Sequence, residues 1–465
     1  MKRLLAIILA LLCTVTAFAS CSKVLDEENA SDSNLSSDSD TIGEYPGSLE
    51  SDKATDDQIN KETNKNENEG NETDDSTQEK PTFNVKESTS GLKFVLNDDK
   101  LSYTLVGKGD AASKDIVIDG HRGLPVTKIG YSAFGDDKTI TSVKIGDYVE
   151  IIEDQAFSMC SALASVTFGN GVKFLGDYAF RYCNALKSIE LGKNLEVIKY
   201  GAFYNCKNLV NIKAYGKIRI IEDDAFMKTG YSTVTSNWKN KVLYIGTNLI
   251  QAEETISGTY KIEPNTTCIG GLAFYGCASL SGVVIPDSVH SIGLKAFANT
   301  TALNNITIGN GVTYIGERAF INAGYYKTAA NWSNNVLYVG NYIVAAKVAT
   351  SGAVTVKSGT KVIADWAFNG CENIASIVIP DTIVYVGDYA FRGCKKLANV
   401  TIGSGAKEIG IYAFKDCPAL KSITFKKTAG WSADKIAISA DKISNKENAV
   451  TYLGILYSDK VWTRT

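Results

Sequence analysis

The chain holds only two histidines, His121 and His290, in 465 residues, and it contains no CxxC pair. A zinc or other imidazole–thiolate centre therefore has no ligand set, and no metal is expected. HExxH, a Gly-x-Ser-x-Gly elbow, a P-loop and a dinucleotide glycine pattern are all missing, so neither a catalytic residue nor a cofactor is expected. The longest apolar run, Leu4 to Phe18, falls short of the about 20 residues that a membrane span needs. Between residues 22 and 82 aromatic side chains are almost absent; Ser, Asp, Asn, Glu, Thr and Lys dominate. Such a stretch cannot bury enough surface to fold and reads as a disordered stalk.

Charge is unevenly placed. The formal net charge is −3, but residues 22–80 carry 18 acidic residues against 5 lysines and no arginine. Residues 1–21 carry Lys2 and Arg3 with no acid, which leaves +8 for the remainder. An excess of +8 spread over some 380 residues forms no basic patch, and no nucleic-acid partner is expected.

Residues 1–21 read as an export signal, with Lys2 and Arg3 before the apolar run. The run ends in Phe18-Ala19-Ser20-Cys21, which resembles the lipobox of bacterial lipoproteins, with Phe18 where that motif usually has Leu. The resemblance implies lipid attachment at Cys21 and a membrane contact through the lipid alone, since two acyl chains anchor stably where one does not. Ordinary signal cleavage beside an incidental cysteine is the other reading.

What the sequence has in abundance is one phrase. Beyond residue 21, Ala-Phe recurs eleven times, at Phe134, Phe157, Phe180, Phe203, Phe226, Phe274, Phe297, Phe320, Phe368, Phe391 and Phe414. The spacing is 23 residues except for two intervals of 48. A fixed period in the twenties marks a solenoid, in which each coil buries its apolar side chains against its neighbours. Within a coil, Ala164 to Phe168 alternates as a strand with one buried face, and Gly169-Asn170-Gly171 makes a turn. Glycine there is expected to supply positive φ. Stacked coils should line their strands into a parallel sheet rising about 4.8 Å per coil.

Seven of the ten cysteines fall three residues after a motif phenylalanine, where other coils carry Asp137, Thr229, Thr300 and Ala323. A place that exchanges Cys for Thr and Ala is a small core site rather than half of an obligate disulfide. Cys268 likewise stands at an apolar place.

The run Ala179-Phe180-Arg181-Tyr182-Cys183-Asn184-Ala185-Leu186-Lys187-Ser188-Ile189-Glu190-Leu191 resembles the BspA-like leucine-rich repeat family of bacterial surface proteins. Asp115 to Phe134 resembles that family's entry into its repeats, and Val461-Trp462-Thr463-Arg464 its usual finish. The resemblance implies a curved right-handed solenoid displayed at the cell surface, binding host matrix proteins, other cells or glycans. It supplies no shared catalytic residues.

The expected fold is mainly β: a leucine-rich-repeat solenoid of about a dozen 23-residue coils with a parallel sheet, two inserted β-hairpins and terminal caps. Residues 1–21 are the lipoprotein signal peptide, 22–82 the acidic stalk, 83–125 an N-terminal β cap, 126–425 the solenoid and 426–465 a C-terminal cap. The insertions fall near 227–259 and 321–353. Their sequences match at an offset of 94 residues, so a larger module has been duplicated.

Two features could carry binding. Outward strand positions form one ladder running through Ser142, Asn211, Asn305 and Asn399, and a second through Lys144, Lys213, Thr307 and Thr401. The insertions offer Trp238, Tyr244, Trp332, Tyr338 and Tyr342 as interface aromatics. Exposed-strand propensity accounts equally for the ladders, and packing of the hairpins accounts for the aromatics. The expected role is a lipid-anchored, non-catalytic surface module with an extracellular protein or glycan ligand. An enzyme or accessory of polysaccharide breakdown, or a purely structural envelope protein, is the alternative.

Overall fold

The computed structural model describes residues 81–216 and 218–465. The signal, Cys21 and the stalk as far as residue 80 lie outside the described residues. The chain winds as a mainly β solenoid of about 14 turns with parallel sheets and little helix.

Each coil contributes two strands. The longer ones form an outer strip: Asp115–Ile118, Ser142–Ile145, Ser165–Thr167, Ser188–Glu190 and Asn211–Lys213 in a first segment. Gly258–Lys261, Leu280–Ile285 and Asn305–Ile308 form a second, and Ser351–Thr355, Asn373–Ile379, Asn399–Ile402 and Ser422–Phe425 a third. Partners pair in parallel at an offset of 23, as in Gly282↔Asn305 and Ser376↔Asn399. The shorter strands form an inner strip of two-residue rungs, such as Ile151–Ile152, Phe174–Leu175 and Val197–Ile198.

The phenylalanines hold the coils together. Phe134, Phe157, Phe180, Phe203 and Phe226 stack as one column, with ring centroids from 5.0 to 5.3 Å apart and planes within 8° of parallel. Two further columns, Phe274–Phe297–Phe320 and Phe368–Phe391–Phe414, follow after each 48-residue interval. The cysteines among the described residues are free and mostly buried. Their thiols point to the neighbouring coil: Cys160 Sγ donates to Phe134 O at 3.0 Å, and Cys206 Sγ to Phe180 O at 3.0 Å. Thr229 and Thr300 turn the same contact inward, to Phe226 O and Phe297 O of their own coil. Burial pushes the Cys160 and Cys371 thiols up to about 12, which keeps them protonated and unreactive.

The turn glycines serve a different purpose from the one expected. Gly169 and Gly171 do not have positive φ. A Cβ on Gly169 would stand 2.3 Å from Gly146 O, and one on Gly171 would stand 2.0 Å from Asp147 O. They are glycine because the preceding coil leaves no room. Positive φ falls instead on the residues two before and two after each phenylalanine, mostly not glycine, such as Tyr178 and Tyr182 around Phe180, with Gly201, Gly276, Gly370 and Gly393 as the glycines at those places.

Each insertion is a hairpin, Val242–Ile245 with Asn248–Ala252 and Val336–Val339 with Tyr342–Ala346. Its returning strand enters the inner strip, pairing in parallel as Asn248↔Cys268 and Tyr342↔Val362. Both faces of the first hairpin are therefore covered. Leu243 and Ile245 join the core of the first segment, while Val242 and Tyr244 join that of the second. This explains an apolar run without alternation.

The ends are closed by added strands. Tyr103–Gly107 pairs with Leu124–Ile129, and Lys93–Leu96 covers its other side. At the far end Trp462–Arg464 pairs antiparallel with Glu408–Ile409 and with Trp431–Ala433. Trp431 and Trp462 are buried there against Phe425.

Candidate functional site

The outer strip presents its alternate side chains away from the coil core. Asn211, Lys213, Asn305, Thr307 and Asn399 are exposed and Thr401 is half-buried. Some of these rungs bond along the strip: Lys213 Nζ donates to Glu190 Oε1 at 3.1 Å, and Ser142 Oγ to Asp115 Oδ1 at 2.6 Å. The register adds rungs that the sequence reading missed. Asp115 and Val117 precede Ser142 and Lys144; Thr259 and Lys261 precede Gly282 and Val284; Ala353 and Thr355 precede Ser376 and Val378. Their coils carry no Ala-Phe, which is why counting that phrase gave about a dozen coils. An offset of 23 back from Gly282 and Ser376 would have found the last two pairs.

The insertion aromatics are mostly structural. Tyr244, Tyr338 and Tyr342 are buried, which removes them from any contact surface in this conformation. Tyr244 Oη lies 3.1 Å from Tyr260 Oη, Tyr338 Oη accepts Lys357 N at 3.2 Å, and Tyr342 Oη donates to Gly309 O at 2.7 Å. Trp238 and Trp332 are half-buried, and each Nε1 donates at 2.8 Å, to Ser232 O and Tyr326 O. Only these two keep ring surface toward solvent, and Lys347 already lies over Trp332 at 5.0 Å.

Aromatic belts beside the Ala-Phe turns were also missed. Arg181 lies 4.8 Å from the Tyr178 ring centre and 4.6 Å from that of Tyr182. Trp366 and Tyr389 stack at 4.6 Å, and Tyr389 meets Tyr412 at 5.3 Å. Aromatics recurring two residues before a motif phenylalanine were the available signal. Because Trp366 and Tyr389 face each other, that pair offers edges rather than a flat platform.

The inner strip is the enclosed side. Of its outward residues Ser291, Val362 and Tyr385 are buried, and Ile151, Phe174, Val197, Ile220, Tyr314 and Glu408 are half-buried. First and third segments meet across it: Arg219 Nη1 lies 3.8 Å from Glu408 Oε2, and Lys435 of the C-terminal cap donates to Glu150 Oε2 at 2.9 Å. Carboxylates converge in this cleft, each with a structural partner. Asp388 Oδ1 accepts Ile411 N at 2.8 Å, and Asp365 Oδ1 accepts Tyr385 Oη at 2.8 Å and Asp388 N at 2.9 Å. Glu222 accepts from Lys199 Nζ and from Tyr200 N. Burial and the neighbouring Glu408 and Glu222 push Asp388 up to about 6, although the Ile411 N–H and Lys199 oppose them. Burial, with Asp388 adding to it, holds Asp365 well above the ordinary range. Against its own burial, Lys199 is held above its usual value by Glu222, Asp177 and Asp388. Among the described residues no group of His, Cys, Asp and Glu could hold a metal ion, and no helix is long and apolar enough to cross a membrane.

The profile of the BspA type leucine-rich repeat region matches the chain in six copies, over residues 127–257, 220–349 and 349–435. A leucine-rich repeat protein of T. pallidum aligns at 18% identity over 52% of this chain and 89% of its own, with a TM-score of 0.28. A leucine-rich cell surface protein of Faecalibacterium prausnitzii aligns at 23% identity over 74% of this chain and 95% of its own, with a TM-score of 0.27. The pneumococcal vaccine antigen PcpA aligns at 16% identity over 77% of this chain and 90% of its own, with a TM-score of 0.26. Among curated proteins nothing matches.

Proposed function

The chain belongs to the BspA-type leucine-rich repeat family, a repeat family of bacterial surface proteins, and from that premise we propose that it is an exported adhesion module. Lipid at Cys21 tethers it to the membrane, residues 22–82 space it from the surface, and the solenoid binds an extracellular protein or glycan. The observation that carries this reading is the outer strip. It is a row of short parallel sheets whose outward rungs mostly stay open to solvent, while the outward residues of the inner strip are buried or half-buried. Broad shallow contact with a macromolecule suits that surface.

The test is a screen of residues 81–465 and of the full chain against host matrix proteins, mucins and polysaccharide arrays. Binding that is lost when Asn305 and Asn399 are replaced by bulky glutamates supports the reading. No binding across the panels would sink it in favour of a structural envelope role. Metabolic labelling with a fatty-acid probe should tag the wild type but not Cys21→Ala; equal labelling would overturn the anchor.

A second reading, hydrolysis of a polysaccharide, draws on the convergence of Glu222, Asp388 and Glu408 in the inner cleft. New reducing ends released by the wild type and lost in Asp388→Asn would establish it. The structural partners of these carboxylates favour the first reading.

A further inference from the structure

The duplicated module allows one junction of the solenoid to be compared with the other, residue by residue at an offset of 94. At the second junction the wedge beside the hairpin is filled. Tyr342 Oη donates to Gly309 O at 2.7 Å, and Lys361 Nζ reaches across to Asn310 O at 3.0 Å. At the first junction the equivalent residues are smaller: Asn248 stands for Tyr342, Thr267 for Lys361, Gly216 for Asn310 and Ser291 for Tyr385. The space they leave is a cavity of about 230 Å³ on the inner strip. Its polar lining is Arg219, Thr267, His290, Ser291, Thr313 and Tyr314, with Ile220 on the apolar side.

Two observations say that this space is built for a ligand rather than left over. Ser291 is 2% exposed, and its Oγ has no nitrogen or oxygen partner; the Cys268 thiol is the polar group beside it. A buried hydroxyl without a partner costs free energy that an incoming polar group would recover. Arg219 holds its carboxylate neighbours Glu408 and Glu196 only at 3.8 and 4.0 Å, beyond hydrogen-bond length, so guanidinium N–H groups remain to be used.

Charge decides the ligand class. Two carboxylates already flank the one guanidinium, so a further anion would be repelled by Glu408 and Glu196, while a cation would lie against Arg219, the charged side chain that lines the cavity itself. We propose that the first-junction cavity binds one uncharged, hydroxyl-rich ring, a neutral sugar residue of a glycan. Its hydroxyls take the Arg219 N–H groups and Ser291 Oγ, and its apolar face lies against Tyr314 and Ile220. The volume suits a single ring and no more, since pockets for larger ligands begin at about 300 Å³. The proposal rests on the surface-binding role and names one subsite for it.

The test is saturation-transfer NMR on the full chain with glucose, galactose, mannose, N-acetylglucosamine and N-acetylgalactosamine, with glucuronate and N-acetylneuraminate as charged arms. At least one neutral sugar should receive saturation from the wild type. Thr267→Lys and Ser291→Tyr copy residues that the second junction already packs, and each should weaken binding about tenfold or more. Ser291→Ala removes only the hydroxyl and should weaken it several-fold, so a folding defect in the larger variants does not decide the matter. The idea is overturned if no neutral sugar binds, if only the charged sugars bind, or if the filled variants bind like the wild type. A matrix protein that still binds the filled variants leaves the surface role standing whatever the sugars do, which separates the two failures.

Discussion

At the residue scale, most coils of the solenoid depend on one aromatic, and the thiol beside it is replaceable. Phe180 is fully buried and stacks at 5.1 and 5.3 Å on rings to either side, so truncation opens a cavity that two coils share. Phe180→Ala should cost about 3–5 kcal/mol in denaturant unfolding, the usual range for a buried phenylalanine. Cys183 Sγ donates to Phe157 O at 3.2 Å, a weak bond that Thr229 and Thr300 replace at their own coils. Cys183→Thr should therefore cost less than about 1.5 kcal/mol, as substitutions of similar size do. A loss equal to that of Phe180→Ala would show the thiol to be more than filling. Both roles were legible in the sequence, because a residue kept in every coil that carries the phrase and one that alternates there with Thr and Ala report different constraints. The pairing of the thiol with a backbone carbonyl 26 residues back was not legible, since it depends on how coils lie over each other.

At the scale of the coil and the hairpin, local rules and stacking separate. The coil has glycines of two kinds. A Cβ on Gly171 would meet Asp147 O at 2.0 Å, whereas Gly276 has φ +71° and open space around its missing Cβ. At the phase of Gly276 other coils carry Asn205, Asn299 and Asn322, all with positive φ. Gly276→Asn should leave the unfolding free energy within about 1 kcal/mol of the wild type, because Asn tolerates the left-handed region. Gly171→Ala should lower it clearly, by the about 1–3 kcal/mol that overpacking costs. If the two behave alike, close approach between coils is not what fixes Gly171. The turn was visible in Gly169-Asn170-Gly171, but the reason for the glycines was not, because the obstructing atoms belong to the preceding coil. The hairpins were visible in Gly340-Asn341 between apolar runs. Their seat within the inner strip was not, since only the fold shows that Tyr342 pairs with Val362.

Across the whole molecule, curvature brings the first and third segments together and encloses acids between and beside them. Asp177, Asp223 and Asp388 are each pushed up to about 6, chiefly by burial, and burial holds Asp365 well above its ordinary value too. Their folded values lie above the unfolded one, so the folded state holds more protons than the unfolded chain through that window. Stability must then rise as pH falls from about 7.5 to about 5 and flatten only near the unfolded carboxylate value of about 4. Groups of the opposite kind act lower down. Asp137, despite partial burial, is held to about 2 by hydrogen bonds from Lys108 and Thr139, and its contribution is lost only below the ordinary carboxylate range. The melting temperature should accordingly climb on mild acidification and fall again in stronger acid. Asp388→Asn keeps an oxygen for the Ile411 N–H while removing the ionisable group, and it should shrink the difference between neutral and mildly acidic melting temperatures. A chain that melts lower at about pH 5 than at about pH 7.5 would show that these carboxylates reach solvent and that the two segments do not enclose them.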